Sequence, residues 1–182
     1  RPLISDVRNV ASGVQVRWDV PAYATGYKIY RATGSSSTWK QVKHETSGKT
    51  ASWVDTKVTN GIKYCYKVKA LYGGEESPLT PEGHRYRVVR PAKFTAKSTK
   101  ARKLTAAWSV NTRATGYQLC YATNKSFSNS RTLNISGSSS KSKTITGLSR
   151  GKKYYVKVRA CKKVGKESYF SAWSAVKLIR VK

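Results

Sequence analysis

The side chains that could carry out acid–base, nucleophilic or metal chemistry are few and scattered in this chain of 182 residues. His44 and His84 are far apart, and the only adjacent carboxylates, Glu75 and Glu76, follow two glycines in a predicted turn. The cysteines are isolated and show no Cys-x-x-Cys spacing: Cys65, Cys120 and Cys161. Catalysis of these kinds needs a base beside a nucleophile or proton donor. We therefore expect no catalytic residue, no metal ligand, no cofactor and no enzyme activity.

Positive charge is the strongest chemical signal in the sequence. The formal net charge is +28, from 36 Lys and Arg against 8 Asp and Glu. Residues 1–90 hold 15 basic and 7 acidic residues, whereas residues 91–182 hold 21 basic residues and a single acid, Glu167. Such a field attracts polyanions. The hypothesis that follows is binding of an anionic polymer, wall teichoic acid or a sulfated glycan, and nucleic acid ranks lower because no recognition motif is present.

The candidate polyanion-binding residues lie in the second half of the chain. They are Lys141, Lys143, Lys153, Lys157, Arg159, Lys162, Lys163 and Lys166. The alternative is a solvated surface that only keeps the protein in solution. A solubilising surface normally mixes both signs of charge, and uncompensated charge destabilises a compact fold by self-repulsion.

The elements that position these residues are organised as a repeat. The sequence Ala-Thr-Gly-Tyr occurs at 24–27 and again at 114–117, and each copy begins a run of alternating apolar residues. Alternation with a period of two indicates half-buried strands, and no helical period is visible. We predict an all-β fold of two tandem seven-stranded antiparallel β-sandwiches, with domains at 1–89 and 90–182. The first strand is expected at 2–7 and the last strand of copy one at 85–89.

The two copies resemble fibronectin type III domains, which have an immunoglobulin-like fold. The matching residues are Trp18, Tyr27-x-Ile29 and Tyr64-x-Tyr66-x-Val68-x-Ala70, and then Trp108, Tyr117-x-Leu119-x-Tyr121 and Tyr154-x-Val156-x-Val158-x-Ala160. The resemblance implies that Tyr64 and Tyr154 bond to backbone upstream. Arg31 replaces the tyrosine found at Tyr121, so we expect its side chain to extend out to solvent. The Lys-rich composition is similar to that of tandem modules in secreted or surface proteins of Gram-positive bacteria, which implies an extracellular or cell-wall location.

A second resemblance concerns the segment 170–174, Phe-Ser-Ala-Trp-Ser, which is similar to the WSxWS box of cytokine-receptor type III domains. The resemblance implies that Phe170 and Trp173 stack with Lys157 and Arg159, beside Tyr155, in a cation–π ladder. A ladder that rigidifies the sheet is favoured over a ligand site. Copy one has the segment 80–84 at the same offset, and we expect no ladder there.

The cysteines can be placed by the same alternation. Cys65 and Cys120 lie between inward residues and Cys161 follows the inward Ala160, so all three are expected to face outward. The third and sixth strands are antiparallel neighbours in this family, and aligning their cores sets Tyr117 opposite Ala160 and Cys120 opposite Lys157. Cys161 is then too far from Cys120 to form a disulfide, so we expect free thiols.

Three functions remain open from the sequence. The first is a non-catalytic extracellular spacer and adhesion module whose basic second domain binds an anionic polymer. The second is an accessory domain pair of a secreted enzyme, carbohydrate-active or peptidase, and the third is a receptor-type module that binds a protein. No apolar run reaches the length of a membrane span, and we expect a monomer.

Overall fold

The computed structural model describes residues 1–182, which form strands and no helix. No helix is therefore available to cross a membrane. The chain divides into two compact units, Arg1–Arg87 (unit 1) and Val88–Lys182 (unit 2).

Unit 1 is a sandwich of two antiparallel sheets. Its strands are β1 (Ile4–Asn9), β2 (Val14–Trp18), β3 (Gly26–Thr33), β4 (Lys40–Glu45), β5 (Ser52–Asp55), β6 (Lys63–Tyr72), β7 (Glu75–Glu76) and β8 (Gly83–Tyr86). One sheet has the order β1-β2-β5, and the other has the order β4-β3-β6-β7. Strand β8 also pairs with β6, at the end opposite β7.

Unit 2 repeats this arrangement strand for strand. Its strands are β9 (Phe94–Lys97), β10 (Leu104–Trp108), β11 (Gly116–Ala122), β12 (Arg131–Ser136), β13 (Ser142–Ile145), β14 (Lys153–Val164), β15 (Glu167–Phe170) and β16 (Lys177–Arg180). The sheets have the orders β13-β10-β9 and β12-β11-β14-β15, with β16 also paired to β14. The expectation of an all-β fold with two antiparallel sandwiches is confirmed.

Each unit has eight strand segments instead of the expected seven, because the last strand is interrupted. In unit 1 the segment 77–80 lies between β7 and β8, and the Ser77 and Thr80 hydroxyl oxygens accept hydrogen bonds from the backbone N–H groups of Ala70 and Val68, each at 3.0 Å. Side-chain oxygens thus replace backbone carbonyl oxygens as the acceptors for these two N–H groups of β6. The predicted limits of the first strand, 2–7, and of the last strand of unit 1, 85–89, were wrong by a few residues.

The core follows the alternation read from the sequence. Val14, Val16, Tyr27, Ile29 and Tyr66 are completely buried in unit 1, and their counterparts in unit 2 are buried in the same way: Leu104, Ala106, Tyr117, Leu119 and Val156. Sheet faces that bury alternate residues fix the register, since a slip by one residue would turn the apolar set to solvent.

The tyrosine bonds implied by the family resemblance are present in both units. The Thr59 N–H donates to the Tyr64 hydroxyl oxygen at 2.9 Å, and the Ser149 N–H donates to the Tyr154 hydroxyl oxygen at 3.2 Å. Each bond ties the start of the long central strand to the turn before it.

The repeated Gly-Tyr pair has a physical reason in each unit. A Cβ atom on Gly26 would lie 2.5 Å from the Glu45 carbonyl oxygen, and one on Gly116 would lie 2.4 Å from the Ile135 carbonyl oxygen. Only glycine allows the neighbouring strand to come so close. The tyrosine that follows donates its hydroxyl hydrogen to a backbone carbonyl, at 2.9 Å in unit 1 and 2.8 Å in unit 2.

Candidate functional site

The outer face of the larger sheet in unit 2 carries stacked aromatic and cationic side chains, which we call the ladder. The Arg159 guanidinium carbon lies 3.9 Å from the Phe170 ring centroid and 4.3 Å from that of Trp173. The Lys157 ammonium lies 4.9 Å from the Trp173 centroid and 3.8 Å from that of Phe127. The order along the face is therefore Phe170, Arg159, Trp173, Lys157, Phe127. The alternation of β14 dictates this arrangement, because residues two apart lie on the same face.

Phe127 is the member of the ladder that sequence reasoning missed. It lies in the loop between β11 and β12 with a φ of 59°, a conformation uncommon for a bulky residue. The loop is braced by Asn124, whose side-chain oxygen accepts a hydrogen bond from the Ser128 N–H at 3.1 Å. A single aromatic residue in an otherwise polar loop was the only available signal. Tyr155 lies on the same face of β14 as Lys157 and Arg159, and it pairs with Ala122 and Leu178.

Two serines hold the ladder segment against β14. The Ser171 and Ser174 hydroxyl oxygens accept hydrogen bonds from the backbone N–H groups of Ala160 and Val158, each at 3.0 Å. These bonds match those of Ser77 and Thr80 in unit 1. The segment 77–80 therefore corresponds to 171–174, and the assignment of 80–84 was wrong.

The hairpin between the paired strands causes this shift. It has two more residues on each strand in unit 2 than in unit 1, and Leu79 stands where unit 2 has Trp173. Unit 1 has a cation–π contact elsewhere, with the Lys67 ammonium 4.4 Å from the Trp39 centroid.

A chain of side-chain hydrogen bonds runs sideways from the ladder across the sheet. The Arg159 Nε–H donates to Gln118 Oε1 at 2.8 Å, and Gln118 Nε2 donates to Asn134 Oδ1 at 2.9 Å. Burial lowers the pKa of the Arg159 guanidinium from its ordinary value, and nearby Cys161 and Cys120 partly oppose that effect. Arginine remains charged in proteins even so.

Beside this chain lies an open groove of about 420 Å³, which we call the sheet groove. Its lining includes Gln118, Asn134, Cys161, Lys163, Ser168 and Phe170. Cys161 is partly exposed there, and its pKa is raised mainly by burial. The groove is therefore lined by amides, an ammonium group, a hydroxyl, a thiol and one aromatic ring.

The eight candidate polyanion-binding residues do not share one face. Lys157 and Arg159 belong to the ladder, whereas Lys162, Lys163 and Lys166 lie at or near the tip of the β14–β15 hairpin. Lys153 starts β14 at the opposite end of the sheet. Lys141 precedes β13 and Lys143 lies within it, in the other sheet.

Unit 1 fills the corresponding position with its own carboxylate. Lys28 and Lys69 are the counterparts of Gln118 and Arg159 in the β3–β6 register. Glu76 forms an ion pair with both, and the Lys69 Nζ to Glu76 Oε2 distance is 3.1 Å. These bonds to the two lysines lower the pKa of Glu76. In unit 2 the residue at the Glu76 position is Phe170.

Two of the three cysteines occupy the predicted outward positions of their strands but are covered by other residues. Cys65 is 5% exposed and Cys120 is 4% exposed. Burial, followed by the neighbouring Glu82, raises the pKa of the Cys65 thiol to about 11. All three thiols are free, and the predicted pairing of Tyr117 with Ala160 and of Cys120 with Lys157 is confirmed.

Arg31 does not extend to solvent as expected. Its Nη1 atom lies 2.8 Å from Oδ2 of the buried Asp55 and donates to the Lys57 carbonyl oxygen at 2.8 Å. The Tyr66 hydroxyl also donates to Asp55 Oδ2, at 3.1 Å. The sequence analysis missed Asp55 because nothing in the neighbouring sequence indicates a buried carboxylate. Its hydrogen bonds connect parts of unit 1, which indicates a structural role.

No group of three or more His, Cys, Asp or Glu side chains is arranged to hold a metal ion. The arrangement of unit 2 instead offers cations, aromatic rings and hydrogen-bond donors on one sheet face.

Comparison with known proteins gives two similar sequences. The chain is 35% identical over 86 residues to an amylopullulanase of Thermoanaerobacter thermohydrosulfuricus, covering 46% of this chain and 6% of that enzyme. It is 36% identical over 68 residues to an amylopullulanase of Thermoanaerobacterium saccharolyticum, covering 37% of this chain and 5% of that enzyme. The chain thus spans about one twentieth of the length of these relatives.

Among solved structures, the FN1–FN3 domains of chicken CNTN1 are 18% identical, with a TM-score of 0.45, over 99% of this chain and 67% of that chain. A segment of two fibronectin type III domains from chicken tenascin is 16% identical, with a TM-score of 0.48, over 100% of this chain and 98% of that chain.

The family comparison identifies the second unit, and the first unit shares its strand order. The family model described as the fibronectin type III domain matches residues 89–177. Unit 1 has the same strand order, the same tyrosine bonds and the same paired hydroxyl groups. A chain built from these domains is a non-catalytic module. The second unit is therefore a fibronectin type III domain over the matched residues, and the first unit repeats its strand order.

Proposed function

We propose that this domain pair is an extracellular adhesion and spacer module whose second unit binds an anionic polymer, either wall teichoic acid or a sulfated glycan. The observation that carries the proposal is the charge of unit 2, where 22 Lys and Arg residues accompany a single acidic side chain, Glu167. Most cations of unit 2 therefore have no carboxylate partner on their own domain. An anionic polymer supplies the missing counter-charge and relieves the self-repulsion of the fold.

The contrast with unit 1 supports this proposal. Unit 1 has the same fold but holds 14 basic and 7 acidic residues, and several of its acids form ion pairs on the surface or in the core. The shared fold therefore does not require the excess charge of unit 2. Charge of one sign concentrated on one domain favours long-range attraction to polyanions.

The experiment compares two sets of three charge-neutralising substitutions in the full chain. Lys162, Lys163 and Lys166 are changed to Gln in unit 2, and Lys40, Lys43 and Lys49 are changed to Gln in unit 1 as the matched control. Binding to heparin and to purified teichoic acid is measured between 0.05 and 0.5 M NaCl, conditions that span strong and weak screening. The unit 2 set should weaken binding at about 0.15 M NaCl by roughly tenfold and the control by less than about twofold. Equal losses in both sets, or no binding by the unaltered chain, would overturn the proposal.

A second candidate function is favoured by the two relatives. Because both are named amylopullulanases, the chain could serve as an accessory domain pair that holds a secreted enzyme against a neutral glucan. Retention of the chain on amylopectin that persists at 0.5 M NaCl would support this role, because contacts with a neutral glucan are not screened by salt. Binding only to the charged polymers, and only at low salt, would exclude it.

A further inference from the structure

We propose that the sheet groove of unit 2 is a specific subsite for one anionic ester group, sulfate or phosphate, of the bound polymer. The proposal rests on the proposed function, because it assigns the polymer a defined contact on the sheet formed by β12, β11, β14 and β15. It is carried by the direction of the hydrogen bonds across this sheet and by the comparison with unit 1.

The orientation of the two amides is dictated by Arg159. A guanidinium group can only donate, so Gln118 must turn its carbonyl oxygen toward Arg159. The NH₂ group of Gln118 then points to Asn134, which must in turn present its own oxygen. The amide NH₂ of Asn134 is left at the end of this chain, on a residue that lines the groove. The NH₂ end of both amides therefore points away from Arg159, and this series of hydrogen bonds ends in the N–H donors of Asn134.

The remaining charges around the groove have the same sign. Lys163 adds an ammonium group to the lining. Glu167, the single acidic side chain of unit 2, accepts a hydrogen bond from the Tyr169 hydroxyl. Both Glu167 and Tyr169 alternate with the groove residues Ser168 and Phe170 along β15, so they belong to the other face of the hairpin. The groove thus combines donors and cations without a carboxylate of its own.

Unit 1 shows that this position of the fold accommodates an anion. There the carboxylate of Glu76 lies between Lys28 and Lys69, the counterparts of Gln118 and Arg159. In unit 2 Phe170 replaces Glu76, so the fold no longer supplies the negative group. Because the Phe170 ring itself covers Arg159, an external anion binds beside the ring, at the end of the groove lined by Asn134 and Lys163, and the ring offers an apolar wall to the carbon skeleton of the polymer.

The chemistry of the site selects an anionic ester on a hydroxyl-rich chain. A sulfate or phosphate oxygen can accept hydrogen bonds from the Asn134 and Gln118 amides and form an ion pair with Lys163. Hydrogen bonds to such a charged acceptor are stronger than those between neutral groups. Sulfated glycans and glycerol-phosphate polymers both present such a group, and the two sources are separated in the experiment.

The test measures binding of the full chain to heparin and, separately, to poly(glycerol phosphate) teichoic acid by titration calorimetry. Asn134→Asp places a carboxylate at the end of the donor chain, and Phe170→Glu restores the internal anion of unit 1. Ser142→Asp, on the exposed edge strand β13 of the other sheet, is the control with the same charge change. We expect Asn134→Asp and Phe170→Glu to raise the Kd at least about tenfold, and Ser142→Asp to raise it less than about threefold.

A second measurement needs no substitution. Cys161 lines the groove, so a saturating polymer should slow its alkylation by iodoacetamide at least about fivefold, as read by mass spectrometry. Protection by heparin alone identifies sulfate as the preferred ester, and protection by teichoic acid alone identifies phosphate. If the unaltered chain binds polymer but Cys161 is not protected, or if Asn134→Asp and Ser142→Asp weaken binding equally, the subsite is wrong while polymer binding stands. If neither polymer binds at all, both proposals are wrong.

Discussion

Arg31 and Asp55 form a pair across the two sheets of unit 1, with 2.8 Å between Nη1 and Oδ2. The Asp55 side chain is 2% exposed and the Arg31 side chain is 23% exposed. Asp55 also accepts the Tyr66 hydroxyl hydrogen and the Lys57 N–H. One carboxylate therefore accepts hydrogen bonds from three donors, of which the Tyr66 hydroxyl is buried.

Replacement of Asp55 by Ala should destabilise unit 1 strongly. The substitution leaves a partly buried guanidinium and a buried tyrosine hydroxyl without their acceptor, which costs about 3 kcal/mol of unfolding free energy. Urea denaturation followed by tryptophan fluorescence measures the loss. Asp6→Ala breaks an exposed ion pair with Arg8, in which Arg8 Nε lies 3.5 Å from Asp6 Oδ2, and should change the unfolding free energy by less than about 0.5 kcal/mol. Similar effects of the two substitutions would show that Asp55 has no central role.

Replacement of Trp173 by Ala should lower stability and leave polymer binding intact. Trp173 contacts both cations of the ladder, so the substitution removes two cation–π contacts and part of its buried surface, about 2 kcal/mol in total. Thermal melting measures this loss, and heparin binding should stay within about twofold of the unaltered chain.

The matched control for the ladder is Trp39→Ala in unit 1, where one lysine contacts the ring. It should cost about 1 kcal/mol. A loss of binding without a change in melting after Trp173→Ala would show instead that the ladder is a ligand site.

Cys65 should make unit 1 less stable in alkali. Its thiol pKa is raised from an ordinary value of 9.0 to about 11, chiefly by burial. The unfolded chain therefore loses this proton at a lower pH than the native chain. The stabilising contribution is complete below about pH 9 and is lost as the pH rises toward 11, and it reaches about 2 kcal/mol.

The measurement is urea denaturation at pH 8 and pH 11 for the unaltered chain and for Cys65→Ala. All other ionisable groups are the same in both proteins, so the difference between their losses of unfolding free energy is due to Cys65. The unaltered chain should lose more stability than Cys65→Ala over this range. Equal declines would contradict the buried position of the thiol.

The parts of the fold that the sequence predicted are those determined by alternation. Two periodic runs locate the inward faces, and matching the inward face of β11 with that of β14 gives the pairing of Tyr117 with Ala160 that the structure has. The tyrosine bonds follow for the same reason, because Tyr64 and Tyr154 start the same inward faces. Both results depend only on neighbours along one strand or between adjacent strands.

The parts that the sequence did not predict depend on side chains that meet from distant loops. Phe127 reaches Lys157 from a loop with a left-handed residue, and Asp55 meets Arg31 from the opposite sheet. Cys65 has an outward position in the alternation but is covered all the same. A period of two gives the face of a residue but not which side chains cover that face, and the covering side chains come from loops that follow no period.

The extra length of the β14–β15 hairpin has its own consequence. Relative to β6–β7, it contains two additional cross-strand pairs, Lys163 with Ser168 and Val164 with Glu167. Each added pair places one residue on each strand, so residues opposite one another still share a face, and Ser171 and Ser174 meet β14 as Ser77 and Thr80 meet β6. Hydrogen-bonded and non-hydrogen-bonded pairs alternate along antiparallel strands, so an increment of two pairs also keeps the same kind of pair next to the turn. In unit 2 this increment contributes two walls of the sheet groove, Lys163 and Ser168, without disturbing the core.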